Sequence, residues 1–479
     1  MDIIVEEKGK SFKDLEQDIF RLACQSAVEV TKEILAQKDN EIFKTRDTDK
    51  YYSEGFRKTS IKTIYGSVEY RRRVYRTQLD DGKTAYVYLL DKAMGMNNIG
   101  LISENLAEKI ADIATEAPYR ETAAEITSTT GQSISAQGAW NLMQQVGERI
   151  SKEEEHAVNQ MNSGKAEGKK ALPVLLEEMD GVWIRQQGEH HEKKPKMEVK
   201  VATTYEGWDA HKEAEGRSTL SGKRVIAGIE ESNVFHEKRE ADICKHYDVD
   251  EIQQRVLNGD GGSWISEPND PDAIIQLDPF HMHQEIRKNI ADKKAQKEIE
   301  NLIASKEIDS MLHYIEVYAD SIENNDPKDN GSENARKLLK YLSNNKDNLI
   351  PWQERDIAIP EPPEGIIYKN MGVQENQNCT VITMRMKHRR MRWSSSGGNN
   401  MAKALYRQEN RELHETISRY SNELIFSKEI VEAIEVLSAA KAPKKDGKGN
   451  PFVDLTQRHM PIIDAMLTES RKYFRQLTY

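Results

Sequence analysis

An α/β fold is predicted for the centre of this chain, and three observations predict it. Three strand-like stretches, "ALPVLLEEMDGVWIRQQ", "MEVKVATTYEGW" and "GKRVIAGIEE", follow one another as in an antiparallel meander. A helical segment, "FHEKREADICKHYDVDEIQQ", then leads into the short apolar strand of "RVLNGDGGSWI". A further strand, "AIIQLDPF", runs directly into a helix. This order is the ribonuclease H-like arrangement, a sheet with helices on both faces.

The flanking segments read as separate pieces. Residues 1–98 form a small α+β module. Phe12, Leu15, Ile19, Val30 and Ile34 recur at helical spacing behind Ser11 as N-cap. In "KTSIKTIYGSVEYRRRVYRT" the alternation and the central Gly66 predict a hairpin, with "TAYVYLL" as a third strand. Residues 99–150 contain three helices, the second stopping at Gly131 and the third starting on Ser135. Two short helices around a small turn form a helix-turn-helix pattern. Its last helix would present Gln137, Asn141 and Gln144 to base edges. Residues 151–170 read as a charged helix end and linker. The core occupies 171–283 and 366–415, interrupted by a helical insertion over 284–365, and a helical tail covers 416–479.

The composition excludes several classes. With 479 residues, 37% hydrophobic and 31% charged, the chain is expected to be soluble and to hold several domains. No apolar run reaches membrane-span length, and the start "MDIIVEEKGK" lacks the pattern of a signal peptide. Cys24, Cys244 and Cys379 match no zinc or disulfide spacing, so a cytoplasmic location is expected. The net charge of −11 argues against nucleic acid, yet DNA feels local potential rather than the total. Two basic clusters stand out: Arg71, Arg72, Arg73 and Arg76 in "YRRRVYR", and Arg385, Lys387, Arg389, Arg390 and Arg392 in "RMKHRRMR". Either could equally be a solvated face.

Chemistry is suggested by acids at strand ends. Asp180 in "EEMDGVW" and Asp260 in "NGDGG" fall on the first and fourth strands, which lie side by side in a ribonuclease H-like sheet. Their separation of 80 residues fits two intervening strands and a helix. A third acid from a late helix, Glu375 in "GVQENQN", would complete a set of hard oxygen ligands for two Mg²⁺ or Mn²⁺ ions. Asp-Gly is also a common turn pair, so Asp180 alone has a plain structural reading.

Taken together, "MDGVWI", "LNGDGGSWI", "LDPFHMHQEI", "GVQEN" and "RMKHRRMRWSSSGGNNMAKAL" resemble the bacterial insertion-sequence DDE transposases of the ISLre type. This group is filed as an uncharacterised protein family and is similar in its core to Mutator-like transposases. The resemblance implies that Asp180, Asp260 and Glu375 are the catalytic and metal-binding triad. It also implies that Asp278 and His281, an Asp-x-x-His pair after the second Asp, sit beside the active site. It implies double-stranded DNA, both transposon ends and target, as partner, a homodimer or higher homo-oligomer on DNA, no membrane, and a nucleoid-associated bacterial protein. The alternatives are a nuclease of the same fold without strand transfer, and a non-catalytic DNA-binding protein derived from a transposase.

Overall fold

A computed structural model describes residues 11–418 apart from 80–81, 97–101, 189–193, 263, 266–271 and 326–329, and two short strands further on at Lys444–Lys445 and Pro451–Phe452. The rest of the tail expected to be helical, 416–479, lies outside the described residues after 418. The chain divides into two compact units, residues 1–103, 130–132 and 420–479 in one and residues 104–129 and 133–419 in the other.

The first unit is built on α1 (Phe12–Thr45), whose N-cap Ser11 and Asp14 form a reciprocal capping box. A hairpin of β1 (Tyr52–Thr63) and β2 (Gly66–Gln78) follows, with β3 (Thr84–Val87) paired to β2 and a short α2 (Leu89–Ala93) after it. The apolar faces of these pieces meet in a small core of Leu35, Ile61, Val68, Tyr70 and Leu90.

In the second unit α3 (Glu104–Glu116), α4 (Tyr119–Thr129) and α5 (Ala136–Asn162) come first. The Ser135 side chain caps α5 by accepting from the Gly138 N–H at 3.0 Å. The helix then runs unbroken through 27 residues, across the expected boundary at 150 and well into the segment read as linker. What holds its second half is a buried cluster of charges. Glu154 receives Lys238 at 2.9 Å, Lys403 at 2.5 Å and the Tyr406 hydroxyl at 2.7 Å, while Glu230 receives the same two lysines at 2.7 and 2.6 Å. Two acids and two ammoniums cancel, which makes their joint burial tolerable.

Next come β4 (Val174–Arg185), β5 (Lys196–Tyr205), β6 (Gly207–Asp209), α6 (Ala210–Ala214), β7 (Leu220–Ser221), β8 (Arg224–Gly228), α7 (Ser232–His246), β9 (Gln254–Gly259) and β10 (Ile274–Leu277). Five of the strands form a mixed sheet in the order β10-β9-β4-β5-β8. The β4–β5 and β5–β8 pairs are antiparallel, and β4–β9 and β9–β10 are parallel. Seven consecutive buried residues in β4 mark a strand covered on both faces. On one side Trp208, Trp352 and Met371 cover Val174, Leu176 and Val256. On the other, Leu172 and Leu175 pack on Ile243 and Tyr247.

The helices α8 (Pro279–Asn289), α9 (Lys293–Ala304), α10 (Ile308–Asn325) and α11 (Gly331–Asn344) follow, sharing a separate core that includes Ile286, Ile299, Met311, Ile315, Leu338 and Leu342. Their charged surfaces and apolar stripes account for the insertion read from the sequence. A short β11 (Ile366–Ile367) pairs with β6. The chain returns to the large sheet through α12 (Gln374–Gln377), a π-helical turn (Asn378–Thr383) and α13 (Met384–Met386), then α14 (Ser395–Glu409) and α15 (Leu413–Ser418). The late helix expected to carry Glu375 therefore ends at Met386, with Arg389 and Arg390 in the left-handed region at φ 58° and 54°.

Candidate metal centre and nucleic-acid surface

The geometry starts in the middle of the sheet. Glu178 and Asp180 are two apart on β4, so they face the same side. Asn258 lies opposite Glu178 in the parallel register, and Gly259 opposite Met179. One residue further, Asp260 follows the end of β9 directly, whereas Asp180, expected at a strand end, lies inside β4, which stays paired with β5 as far as Arg185. Gly261, at φ 78°, turns the chain away immediately after Asp260.

Asp180 is buried, accepting from the Gly181 N–H at 2.7 Å and from the Asn378 amide at 2.6 Å. His281 Nε2 lies 3.4 Å from its Oδ2. The ligand atoms of Asp180, His281 and Glu375 all fall within 4.8 Å of one another. Residues separated by 101 and 94 positions in the chain are thus brought to one point. The hydrogen bond to Asp180 pushes the His281 imidazole up to about 9, so it carries a positive charge at neutral pH.

Each of the three is positioned by a different device. Asp278 N–H bonds the Gly259 carbonyl at 2.7 Å, extending the β9–β10 pairing into the start of α8. The Asp278 carboxylate caps that helix by accepting from the Phe280 N–H at 2.9 Å, and Pro279 fills its first turn. His281 then projects from the first turn of α8. Asp278 itself is buried, and burial raises its pKa; it is a cap and does not belong to the group of converging ligand atoms.

Glu375 stands exposed on α12, and Glu178 holds that helix in place. Fully buried, Glu178 accepts from the Tyr205 hydroxyl at 2.6 Å, the Asn258 amide at 3.0 Å, and the backbone N–H groups of Gly372 at 3.0 Å, Val373 at 3.2 Å and Gln374 at 3.2 Å. A carboxylate collecting the free N–H groups of a helix start is favourable both as a cap and against the helix dipole. Gln276 on β10 donates to Asn258 at 3.1 Å, so the polar ladder crosses three strands. From Glu375's own helix, Gln374 donates to Asn378 at 2.9 Å and Asn378 donates to Asp180. The π-helical turn begins at Asn378, and such turns recur at functional sites.

Asp260 stands beside the group but outside it. Its Oδ1 is turned onto the Gly262 N–H at 2.7 Å, and its carbonyl accepts from the Tyr341 hydroxyl at 2.9 Å. A further acid, Glu198 on β5, lies over Gly181, where a Cβ would sit 2.0 Å from Glu198 Oε1. Burial raises the Glu198 pKa, Lys200 opposes this, and the charges of Asp260 and Asp180 add to it. Sequence reading missed Glu178, Asn378 and Glu198. A signal for the first was present: the acid pair Glu177-Glu178 inside an apolar strand, where each charge demands partners. Glu177 finds Arg255 at 2.8 Å.

The donor set suits a divalent cation. Two converging carboxylates and a third beside them are hard oxygen ligands, and the His281 imidazole could join them only by giving up its proton.

The predicted DNA-contacting residues divide between surface and interior. Gln137 and Asn141 are exposed on α5 and hydrogen-bonded to each other at 2.9 Å. Gln144 is buried instead and accepts from Asn400 at 2.9 Å. It is covered because α14 crosses α5 at Gly147, where a Cβ would lie 2.3 Å from that of Asn400. In the first unit Arg71 is exposed. Arg72 is paired with Asp91 and stacked 3.8 Å over Tyr88, and Arg73 is paired with buried Asp39 at 2.5 Å; both serve the packing of that unit. Lys387, Arg389, Arg390 and Arg392 are exposed, but Arg385 is buried, donating to the Ala114 carbonyl at 2.7 Å. Trp393 is likewise buried, its indole N–H on the Met386 carbonyl at 3.0 Å.

Residues 5–418 match the uncharacterised protein family UPF0236. The chain is a UPF0236 protein. A UPF0236 protein from the vanSb 3′ region of Streptococcus gallolyticus is 24% identical over 423 residues, covering 85% of this chain and 86% of the relative. Another, from Caldanaerobacter subterraneus subsp. tengcongensis, is 22% identical over 407 residues, covering 83% and 78%. A third, carrying eleven locus designations in that organism, is 21% identical over 409 residues, covering 83% and 76%. Among solved structures, the Drosophila P element transposase strand transfer complex aligns at 12% identity with a TM-score of 0.22, covering 74% of this chain and 88% of that chain. A likeness that slight carries no argument. No helix among the described residues is long and apolar enough to cross a membrane.

Proposed function

We propose that this UPF0236 protein is a DDE transposase of the ISLre type, built on a ribonuclease H-like core, that cuts and rejoins DNA strands at the ends of an insertion sequence. The observation that carries the reading is the convergence of Asp180, Glu375 and His281 where the parallel pairing of β4 and β9 ends, with Asp260 directly after β9. The order of the five paired strands, three antiparallel and then two added in parallel, supports the ribonuclease H-like reading. The relative with eleven locus designations fits a coding sequence dispersed in many copies.

In this reading Asp180, Asp260 and Glu375 would hold two Mg²⁺ or Mn²⁺ ions, and Asp260 would have to turn from Gly262 toward Asp180 to take part. When bound, such ions activate the attacking oxygen and stabilise the leaving one. The chain's own contribution is placement. Glu178 fixes Glu375 through the helix start, Asn378 fixes the Asp180 carboxylate, and Asp278 fixes His281 through its cap. The His281 imidazole N–H can donate to a phosphate oxygen beside the scissile bond. Gln137 and Asn141 read the terminal inverted repeats, while Arg71, Lys387, Arg389, Arg390 and Arg392 meet phosphates. The protein acts on paired ends as a homodimer or higher oligomer.

The test is a strand-cleavage and strand-transfer assay on duplex DNA carrying the flanking inverted repeats, with Mg²⁺ or Mn²⁺. Wild type is expected to yield both products and Asp180→Asn neither, with end binding retained. Cleavage without transfer would identify a nuclease, and Asp180→Asn activity equal to wild type would remove the catalytic assignment.

A further inference from the structure

A cleft of about 430 Å³ lies between the start of α4, the exposed face of α5, the end of β4 and the segment joining α13 to α14. Tyr119, Trp140, Arg385, Arg389, Arg392 and Gly397 line it. The volume falls in the range that holds small ligands. Its chemistry is twofold, planar aromatic and cationic.

The cationic part contains an unsatisfied donor. Arg385 is 97% buried (3% exposed), with Nε on the Ala114 carbonyl and Nη1 on the Met391 sulfur. Its Nη2 is buried with no partner among the described residues, and so is the Tyr119 hydroxyl. A buried guanidinium nitrogen without an acceptor is costly and points to an anion that completes it. Arg389 and Arg392 stand exposed at the same cleft. Arg389 pairs only with Glu121, both partners being largely in solvent, and such pairs exchange readily for a stronger anion. Arg389 sits in the left-handed region at φ 58°, which turns the chain between α13 and the Arg392 that follows.

The aromatic part is Trp140, one turn from Gln137 and next to Asn141, with its ring 37% exposed. Large aromatics left open beside arginines serve as stacking platforms for bases. A paired base is held in its stack and cannot turn its face onto Trp140 in a cleft of this size; an unstacked one can.

We propose that this cleft takes a single unstacked nucleotide, its base against Trp140 and its phosphate on Arg385, Arg389 and Arg392. The inference deepens the nucleic-acid reading above and rests on it for the source of the nucleotide. Gln187, which also lines the cleft, lies seven residues beyond Asp180 and two beyond the end of β4, or roughly 23 Å at the rise of an extended chain. At 3.4 Å per nucleotide that places the held base about seven positions from the scissile bond.

The test uses the full chain in EDTA, so that binding is read apart from cleavage. The probes are an inverted-repeat duplex with 2-aminopurine in a one-nucleotide bulge near the seventh position, its fully paired counterpart, and free dAMP. The bulged DNA is expected to bind about ten-fold tighter than the paired DNA, with the 2-aminopurine fluorescence quenched. Trp140→Ala, at an exposed position, should abolish the preference while duplex binding persists, and Trp140→Phe should restore it. Binding of dAMP that Trp140→Ala abolishes, without any preference for the bulge, would assign the cleft to free nucleotides. Equal affinity for bulged and paired DNA together with no dAMP binding overturns the proposal. The transposase reading fails separately, by absence of metal-dependent cleavage in the wild type.

Discussion

Replacing Glu178 by Gln tests the claim that a residue which cannot touch DNA controls the metal centre. The carboxylate is fully buried and accepts five donors, from Tyr205, Asn258, Gly372, Val373 and Gln374. An amide keeps one accepting oxygen and turns the other into an N–H₂ facing N–H groups. At least two bonds to a charged acceptor are lost, each contributing about 1.5–3 kcal/mol. With partial relaxation of the 371–374 segment, a loss of about 3 kcal/mol is expected. Urea unfolding should therefore show a lower midpoint with unchanged slope. The distinguishing readout is function: Glu375 is no longer held, so Mn²⁺ affinity and cleavage should fall at least ten-fold in protein that is still folded. Asn258→Ala is the control, because it removes a donor to Glu178 while leaving the helix-start contacts. If Glu178→Gln loses stability but binds Mn²⁺ and cleaves like wild type, the positioning argument is refuted.

Three further outcomes follow from the structure. Asp260→Asn should retain end binding in a mobility-shift assay and lose Mg²⁺-dependent cleavage; normal cleavage would exclude Asp260 from the metal set. Neutralising Arg389 and Arg390 to Gln should weaken DNA binding and reduce the slope of log K against log salt by up to about two, and an unchanged slope would return them to a solvated face. Burial opposes the charge on Glu230, yet the ammoniums of Lys403 and Lys238 hold its pKa down to about 2. A depressed carboxylate stabilises the fold fully above its unfolded value of about 4.5, and that stability is lost as pH falls through 2. Unfolding free energies measured from pH 5 to 2 should thus drop by about 3 kcal/mol through this group. Glu230→Gln should flatten that part of the profile, and an identical profile in the variant would refute the assignment.

Much of the second unit was legible because apolar runs and turn glycines are local signals. The strands around Asp180, Asp260 and Asp278 could be read that way, strand order suggested grouping Asp180 with Glu375, and His281 was accessible only through resemblance. Other features were hidden for stated reasons. Helix α5 was cut short because Glu153, Glu154 and Glu155 look like a solvated end, whereas Glu154 is neutralised by lysines 84 and 249 positions away. Arginine runs do not announce which members face inward. In "YRRRVYR" the inward pair is fixed by Asp39 and Asp91, and in "RMKHRRMR" the buried Arg385 is fixed by a carbonyl of α3. Gln144 has the composition of a base reader, and only the close crossing of α14 at Gly147 removes it from the surface.

Because α5 offers Gln137 and Asn141 at one end and is clamped through Glu154 at the other, it behaves as a single rigid lever. A chimera joined at residue 150 would keep Glu154, Glu230, Lys238 and Lys403 together but would set a foreign first half of that lever against α14 at the close crossing of Gly147 and Asn400. Exchanging end specificity between relatives therefore requires grafting only the exposed positions of its first turns onto an intact rod.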